Sequence, residues 1–574
     1  MAIKKYAPDA NDTIVNAFQP NLNTRGTGAN MGRADVLETF SIYGRQTTSS
    51  QELSRILIKF PITDISTDRT NGNIPASGSV SFYLRMYNAA HSKTVPVDYK
   101  LNVLAISQSW QEGVGLDLES YKNLTLGNEG ANWMSASNTT YWTDNAGTLL
   151  GGGSYLTGNS DTETFLLTQS LTTGLENVDL DVTTIVEQWI GGTYSNYGFG
   201  VYLSASYEAY ESGSADDTTS RTPGDLALDA DDTTQSVIYN PSGSTKSYYT
   251  KRFFGRGTEF FFKKPTIEAR WNSQEADDRG NFFFSSSLAP ADKNLNTIYF
   301  YNYIDGQLTN IPNLGGDERV YVSIYSGSTG GFYSDQGGGD GDDIGPSDIP
   351  VSGTTSENTG SVQILAVDDK GYVRSGYQTV ITGGIVSTGI YSASFAFSGA
   401  TRLDTIYDVW FTGSDTVTNA NDAPTQYFTG AIDCHTLRAQ NHMTRPSYYM
   451  NITNLKDKYR ANENARFNLY VRDKNWDPTI YNVASTNLPV VNIISASYRV
   501  YRSVDAYDAI PYGTGSDLHT LMSYDVSGNY FDLSMKLLEP GYEYAFKFSF
   551  YDNGLSSWVE QPDVFKFRVE DYEY

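Results

Sequence analysis

The chain has 574 residues with a net charge of −26 and is 39% hydrophobic and 14% aromatic, enough apolar material for several cores. That acidity excludes a nucleic-acid grip, which needs clustered Lys and Arg against phosphate, and it argues against anionic membrane surfaces. A single cysteine, Cys434, excludes an intramolecular disulfide and fits assembly in a reducing cell.

At roughly 100–200 residues per domain, the length implies three or four domains. The 43 tyrosines, with abundant Thr, Ser, Asn and Gly, favour strands and turns over helices. The opening "MAIKKYAPDANDTIV" lacks the apolar core of ~7–15 residues that a secretory signal needs. No window approaches the ~18 apolar residues of a membrane span. No signal peptide and no transmembrane segment are therefore expected.

Strand-like runs occupy residues 33–44, 54–62, 78–89 and 98–110. In the third run Val80, Phe82, Leu84 and Met86 share one face, and Ser79, Ser81, Tyr83 and Arg85 the other. That period of two predicts a half-buried strand. Residues 181–206, "DVTTIVEQWIGGTYSNYGFGVYLSAS", read as a short helix followed by a strand. Val182, Ile185, Val186 and Trp189 fall at i, i+3, i+4 and i+7 and predict one apolar face. Asp181 is the expected N-cap, and Gly191 or Gly192 the expected stop. With Trp110, these residues are the expected core of the first unit.

Residues 212–247 are polar and acidic, as in "SADDTTSRTPGDLALDADD", and predict an exposed insertion. Strand signals resume at 247–271, so the first sandwich is expected to span 1–272. A second spans 273–440 and is divided by the loop-like "GGGDGDDIGPSD" at 337–348. A third spans 441–574. Its turn "LEPGYEY", residues 538–544, resembles the turn of fibronectin-like sandwiches, in which a Tyr enters a strand just after Pro-Gly. The expected fold class is all-β: several β-sandwich domains, jelly-roll-like and immunoglobulin-like, in series, with one short helix in the first.

Candidate chemistry is thin. The four histidines are His91, His435, His442 and His519. Cys434 precedes His435 directly and His442 by eight residues, but a structural zinc site wants four ligands at characteristic spacing, and the stretch reads as a linker between sandwiches. Glu112, Asp117 and Glu187 are candidate carboxylates, yet nothing fixes the pair that glycoside cleavage requires. Asp340, Asp342 and Asp343 miss the calcium-loop pattern, and the acids at 229–232 offer less. "WIGGTYSNYGFG" puts its helix before its glycines, the wrong polarity for a phosphate cradle. No catalytic residue, cofactor or metal is expected. Trp133, Tyr141 and Trp142 in "NWMSASNTTYWTDNAG" are the best candidates for carbohydrate stacking, against a core or interface role.

Four segments, "SRILIKFPITDI" (54–65), "GSVSFYLRMYNA" (78–89), "LNVLAISQSWQEG" (101–113) and "VDLDVTTIVEQWIGGTYSNYGFGVYL" (178–203), together resemble the DNRLRE-type β-sandwich, a jelly-roll-like module of surface proteins. The family's W-x-E signature is matched by Trp110-Gln111-Glu112. Phe60-Pro61 departs from its Phe-Asp. The resemblance implies a non-catalytic module, and some relatives are thought to bind polysaccharide.

The opening "MAIKKYAPDANDTIVNAF", the serial sandwiches, and the runs at 472–482 and 523–535 resemble structural proteins of tailed bacteriophages, especially T4-like cyanophages. That resemblance implies a non-enzymatic virion protein of tail, neck, baseplate or head surface, assembled in the host cytoplasm. Its expected partners are other virion proteins and further copies of itself, with no nucleic acid and no membrane. The alternative expectation is a carbohydrate-binding adhesin that recognises host surface glycan.

Overall fold

The computed structural model describes residues 2–18, 25–26, 28–45, 50–89, 95–116, 130–144, 147, 150–157, 165–208, 242–244, 248–283, 295–312, 314, 319–326, 362–366, 381–399, 405–412, 425–435, 447–476 and 490–571. The fold is all-β, with multiple sheets arranged in series along the chain. No described helix is long and apolar enough to cross a membrane.

The first unit packs two sheets face to face. The smaller runs in the order β1 (Ile3–Tyr6), Thr266–Arg270, Ser81–Met86, Val178–Asp181, all antiparallel. The larger centres on Ser50–Lys59, which pairs with Ala10–Phe18 along one edge and shares the other between Val36–Arg45 and Phe199–Leu203. The alternation at 80–86 is realised: Val80, Phe82, Leu84 and Met86 are buried between the sheets. Arg85, on the opposite face, is buried as well, because charged neighbours cover it.

Two helices close this core, where the sequence pattern predicts one. The second, α2 (Thr183–Ile190), is the expected one, with Ile185, Val186 and Trp189 buried and Trp189 against Phe199 at 4.9 Å between rings. Its cap sits one residue later than expected, at Val182, which has no side-chain oxygen; Asp181 Oδ1 instead accepts the Thr183 amide at 2.9 Å. Gly192, at φ +73°, supplies the left-handed turn after it, whereas Gly191 stays right-handed. The unexpected helix is α1 (Ile62–Thr70), whose sequence ITDISTDRT buries only Ile65 and so carries no apolar periodicity. Pro61 begins it, since a residue without an N–H ends the preceding strand at no cost to a helix start.

Beyond the larger sheet lies an outer layer drawn from residues 106–155. It forms a second small core with Ile14, Leu53, Leu57, Trp133 and Trp142. Asp12 ties this layer down: its carboxylate accepts amides of Thr13 at 2.8 Å, Met31 at 2.9 Å and Gly113 at 2.8 Å.

In the second unit Ile381–Ser387 joins the two halves of one eight-stranded sheet. Its start pairs with Val320–Ser326 and its end with Ile390–Gly399. The core gathers Ile298, Phe300, Val322, Tyr391, Trp410 and Ile432.

The third unit has immunoglobulin-like topology. One sheet runs Tyr448–Ile452, Asn464–Asp473, Gly528–Ser534, Ser523–Asp525. The other runs Lys458–Arg460, Phe565–Glu570, Glu543–Asp552, Ala496–Arg502, Asp508–Ile510. The pairing of Lys458–Arg460 with Phe565–Glu570 is parallel, as when the first strand of such a sandwich crosses to its last. The Pro-Gly turn is realised too. Gly541 takes φ +89°, and buried Tyr544 donates its hydroxyl to the Glu539 carbonyl at 2.9 Å, closing a tyrosine corner.

Candidate functional site at the junction of the first and third units

The outer face of the smaller first-unit sheet is charged, and the third unit covers it. Glu268 is fully buried there. Its Oε2 accepts two hydrogen bonds from Arg270, at 3.0 and 2.6 Å, and lies 3.6 Å from Arg85; its Oε1 is 3.3 Å from Lys5 Nζ. Burial pushes the Glu268 carboxyl up, but the combined pull of Lys5, Arg85 and Arg270 outweighs it and holds the group well below the carboxylate range.

Arg270 carries the network across the junction, with Nη1 3.2 Å from Asp517 of the third unit. Asp517 also lies 3.0 Å from buried His519 Nδ1. Burial works to raise Asp517 as well, and His519 and Arg270 together bring it below its ordinary value. Lys5, Arg85 and Arg270 thus face Glu268, Asp179 and Asp517, three cations against three carboxylates.

An apolar anchor lies beside the network. Phe262 leaves the first unit and joins the buried core of the third, 5.6 Å from the Tyr507 ring. The segment after Arg270 is strapped along the third unit. Gln274 Nε2 donates to the carbonyls of Ile494 at 2.9 Å and Met522 at 2.8 Å, and Tyr524 Oη donates to Asp278 at 2.7 Å. Arg279 then reaches the second unit and clamps buried Asp408 with two bonds of 2.6 Å.

Beside the anchor the two units leave a cleft of about 690 Å³, lined by Ile3, Lys5, Phe261 and Trp271 on one side and Lys536 and Leu537 on the other. None of these residues is singled out by the sequence reading. A Phe-Phe-Phe-Lys-Lys run at 260–264 is the one signal that could have drawn attention to it.

The residues chosen from sequence lie elsewhere. Trp133 and Trp142 are fully buried in the outer-layer core, and Trp142 Nε1 donates to the Asn132 carbonyl at 2.8 Å. Neither presents a face to a sugar ring. Tyr141 is half-buried against the same core. Trp110 is half-buried rather than central, and donates to the Tyr197 carbonyl at 2.7 Å.

Glu112 is paired with Arg256, and Glu187 accepts two hydrogen bonds from Arg69, at 2.8 and 2.6 Å. Cys434 and His435 end the strand Thr425–His435 instead of forming a linker, and Cys434 is buried. Strand pairing explains this, since Cys434 sits beside Phe282 in a parallel ladder. His91, His442, Asp117, Asp340, Asp342, Asp343, the acids at 229–232 and most of the 212–247 insertion lie outside the described residues. Among the described residues no group of three His, Cys, Asp or Glu is placed to hold a metal ion.

No protein-family model matches the sequence, and no curated protein matches it. Among solved structures, native Escherichia coli alpha-2-macroglobulin is similar at 7% identity and a TM-score of 0.13, over 98% of this chain and 26% of that one. The trypsin-activated E. coli protein gives 8% and 0.14, over 98% of this chain and 29% of that one. A Salmonella alpha-2-macroglobulin mutant gives 10% and 0.13, over 99% and 34%. The chain spans about a quarter to a third of those proteins, and likenesses this slight carry no argument.

Proposed function

We propose that the chain is a non-catalytic structural protein of a tailed-phage virion that acts through protein–protein contacts, with other virion proteins and copies of itself as partners. The observation that carries this reading is the junction. The arginines and carboxylates at the candidate sites bind each other rather than facing a reaction cleft, and the first and third units share both a buried ion network and a common apolar core. Such expenditure on holding sandwiches in fixed register suits a part of an assembly. The phage assignment itself rests on the sequence resemblance, as does that of the first unit to the DNRLRE-type module.

The glycan-adhesin alternative loses its sequence motive, because the indoles of Trp133 and Trp142 are buried. The test is to locate the protein in intact particles by cryo-EM and mass spectrometry. Detection at a fixed copy number supports the proposal, and absence from purified virions overturns it.

A further inference from the structure

The cleft between the first and third units has the make-up of a small-molecule pocket. Its volume of about 690 Å³ falls within the ~300–1,000 Å³ of sites that enclose small organic ligands, which are mostly apolar with a few placed polar groups. The lining divides in that way. Phe261, Trp271 and Leu537 supply the apolar part. Phe261 is 49% exposed, yet its ring is held edge-on against buried Phe262, with centroids 5.2 Å apart and planes at 84°. An apolar ring kept open to water in a fixed pose gains from being covered.

The polar part is of one sign. Lys4, Lys5, Lys264 and Lys536 line the cleft, and among the described residues no carboxylate does. The chain as a whole has the reverse balance, 66 Asp and Glu against 40 Lys and Arg. Lys4 and Lys5 are committed, to Asp68 and Glu268. The ammonium groups of Lys264 and Lys536 have neither an ion pair nor a hydrogen bond among the described residues. Thr266 Oγ1, in the same lining, is buried without a hydrogen-bond partner, a cost that a bound polar group would recover. Ile3 lines the cleft as well but is only 1% exposed, so recognition here runs through side chains and not through pairing with β1.

We infer that this cleft binds a small organic monoanion, with its apolar body against Phe261, Trp271 and Leu537 and its anionic head on Lys264 and Lys536. The two ammonium groups give the head charge-assisted hydrogen bonds, the stronger kind. Water withdrawn from the aromatic wall provides the rest. Lys264 and Phe261 come from the first unit, Lys536 and Leu537 from the third, so the ligand touches both. This goes beyond the assembly reading, since it names a site and a ligand chemistry that hold whatever particle the protein belongs to.

The test uses the full chain and two probes, anilinonaphthalene sulfonate followed by fluorescence and decanoate as its competitor. Saturable binding of the sulfonate and its displacement by decanoate are expected. Decanol and decyltrimethylammonium, of matched chain length but without the anionic head, should compete at least tenfold less well. A joint Lys264→Gln and Lys536→Gln variant should weaken decanoate at least tenfold without altering the melting temperature, since neither lysine is part of a core. Phe261→Ser tests the apolar half: its half-exposed ring can be removed with the melting temperature kept, and both decanoate and the sulfonate should bind several-fold more weakly. Absence of saturable binding, decanol competing as well as decanoate, or indifference to either variant overturns the inference.

Discussion

Phe262 of the first unit meets Tyr544 of the third edge-on, with ring centroids 6.4 Å apart and planes at 79°. Tyr544 is the residue that closes the tyrosine corner, so the anchor from one sandwich seats on the element that shapes the turn of another. Removing the anchor should therefore cost what a core truncation costs. Phe262→Ala is expected to destabilise the third unit by about 3–5 kcal/mol. Urea unfolding of the full chain, followed by hydrogen exchange in Glu543–Asp552, measures this, and an unchanged midpoint would show that the ring is dispensable.

Trp189 plays the equivalent part inside the first unit. It is buried on α2 and lies against Phe199 of the larger sheet. Trp189→Ala is expected to cost about 3–5 kcal/mol of that unit's stability. A thermal melt of the full chain should show the first unit unfolding earlier while the third holds its transition.

These two aromatics differ in how legible they were. Trp189 falls on a periodic apolar helix face, a local pattern that survives in one sequence. Phe262 sits in a run of three phenylalanines, and nothing local says that its neighbours at 260 and 261 stay exposed while it enters a core belonging to residues 448–569. The all-β class and the strand at 80–86 follow from alternation alone. The helix α1 does not, because it hides a single apolar residue. Trp133 and Trp142 lie in what reads as a loop. Only the folded chain reveals that the loop is a layer with its own core, in which the core role weighed against sugar stacking is the one these indoles take. The ion network was hidden for a related reason: Glu268 and Arg270 fall on the polar face of a strand, and that face turns inward only once a second sandwich covers it.

The network makes an acid-side prediction. Glu268 has a folded-state pKa below its ordinary 4.5, so the folded chain releases this proton more readily than the unfolded one. Its contribution is fully present above about pH 4.5 and is lost as pH falls through the lower folded value. Glu268→Gln removes the charge that compensates Lys5, Arg85 and Arg270. It should cost about 3–5 kcal/mol at neutral pH, as the breaking of a buried pair does. It should also flatten the loss of stability below about pH 4.5. Denaturant midpoints of both proteins from pH 3 to pH 7 provide the check, and parallel curves would remove Glu268 from the account.

Lys251 makes the opposite prediction on the alkaline side. Its side chain is buried, with Nζ 2.7 Å from Asn88 Oδ1 and 2.9 Å from the Gly174 carbonyl. Burial lowers its pKa from 10.5 to about 8, against a smaller opposing pull from Glu176. Below about pH 8 both folded and unfolded chains carry the proton, and the cost of burying the ammonium is constant. Between about pH 8 and 10.5 the unfolded chain keeps a proton that the folded chain has released, so stability rises with pH across that window. The full rise is at most about 3–4 kcal/mol for a shift of this size. Lys251→Met keeps the length of the side chain and removes the charge, and should abolish the rise. Buried tyrosines such as Tyr99, whose pKa burial also raises, work in the other direction at the top of the window. The quantity to compare is therefore the difference between wild type and Lys251→Met, measured at pH 7.5, 8.5 and 9.5. A difference that stays constant across those three points would mean that Lys251 remains protonated in the fold and that its two carbonyl partners hold the ammonium better than burial penalises it.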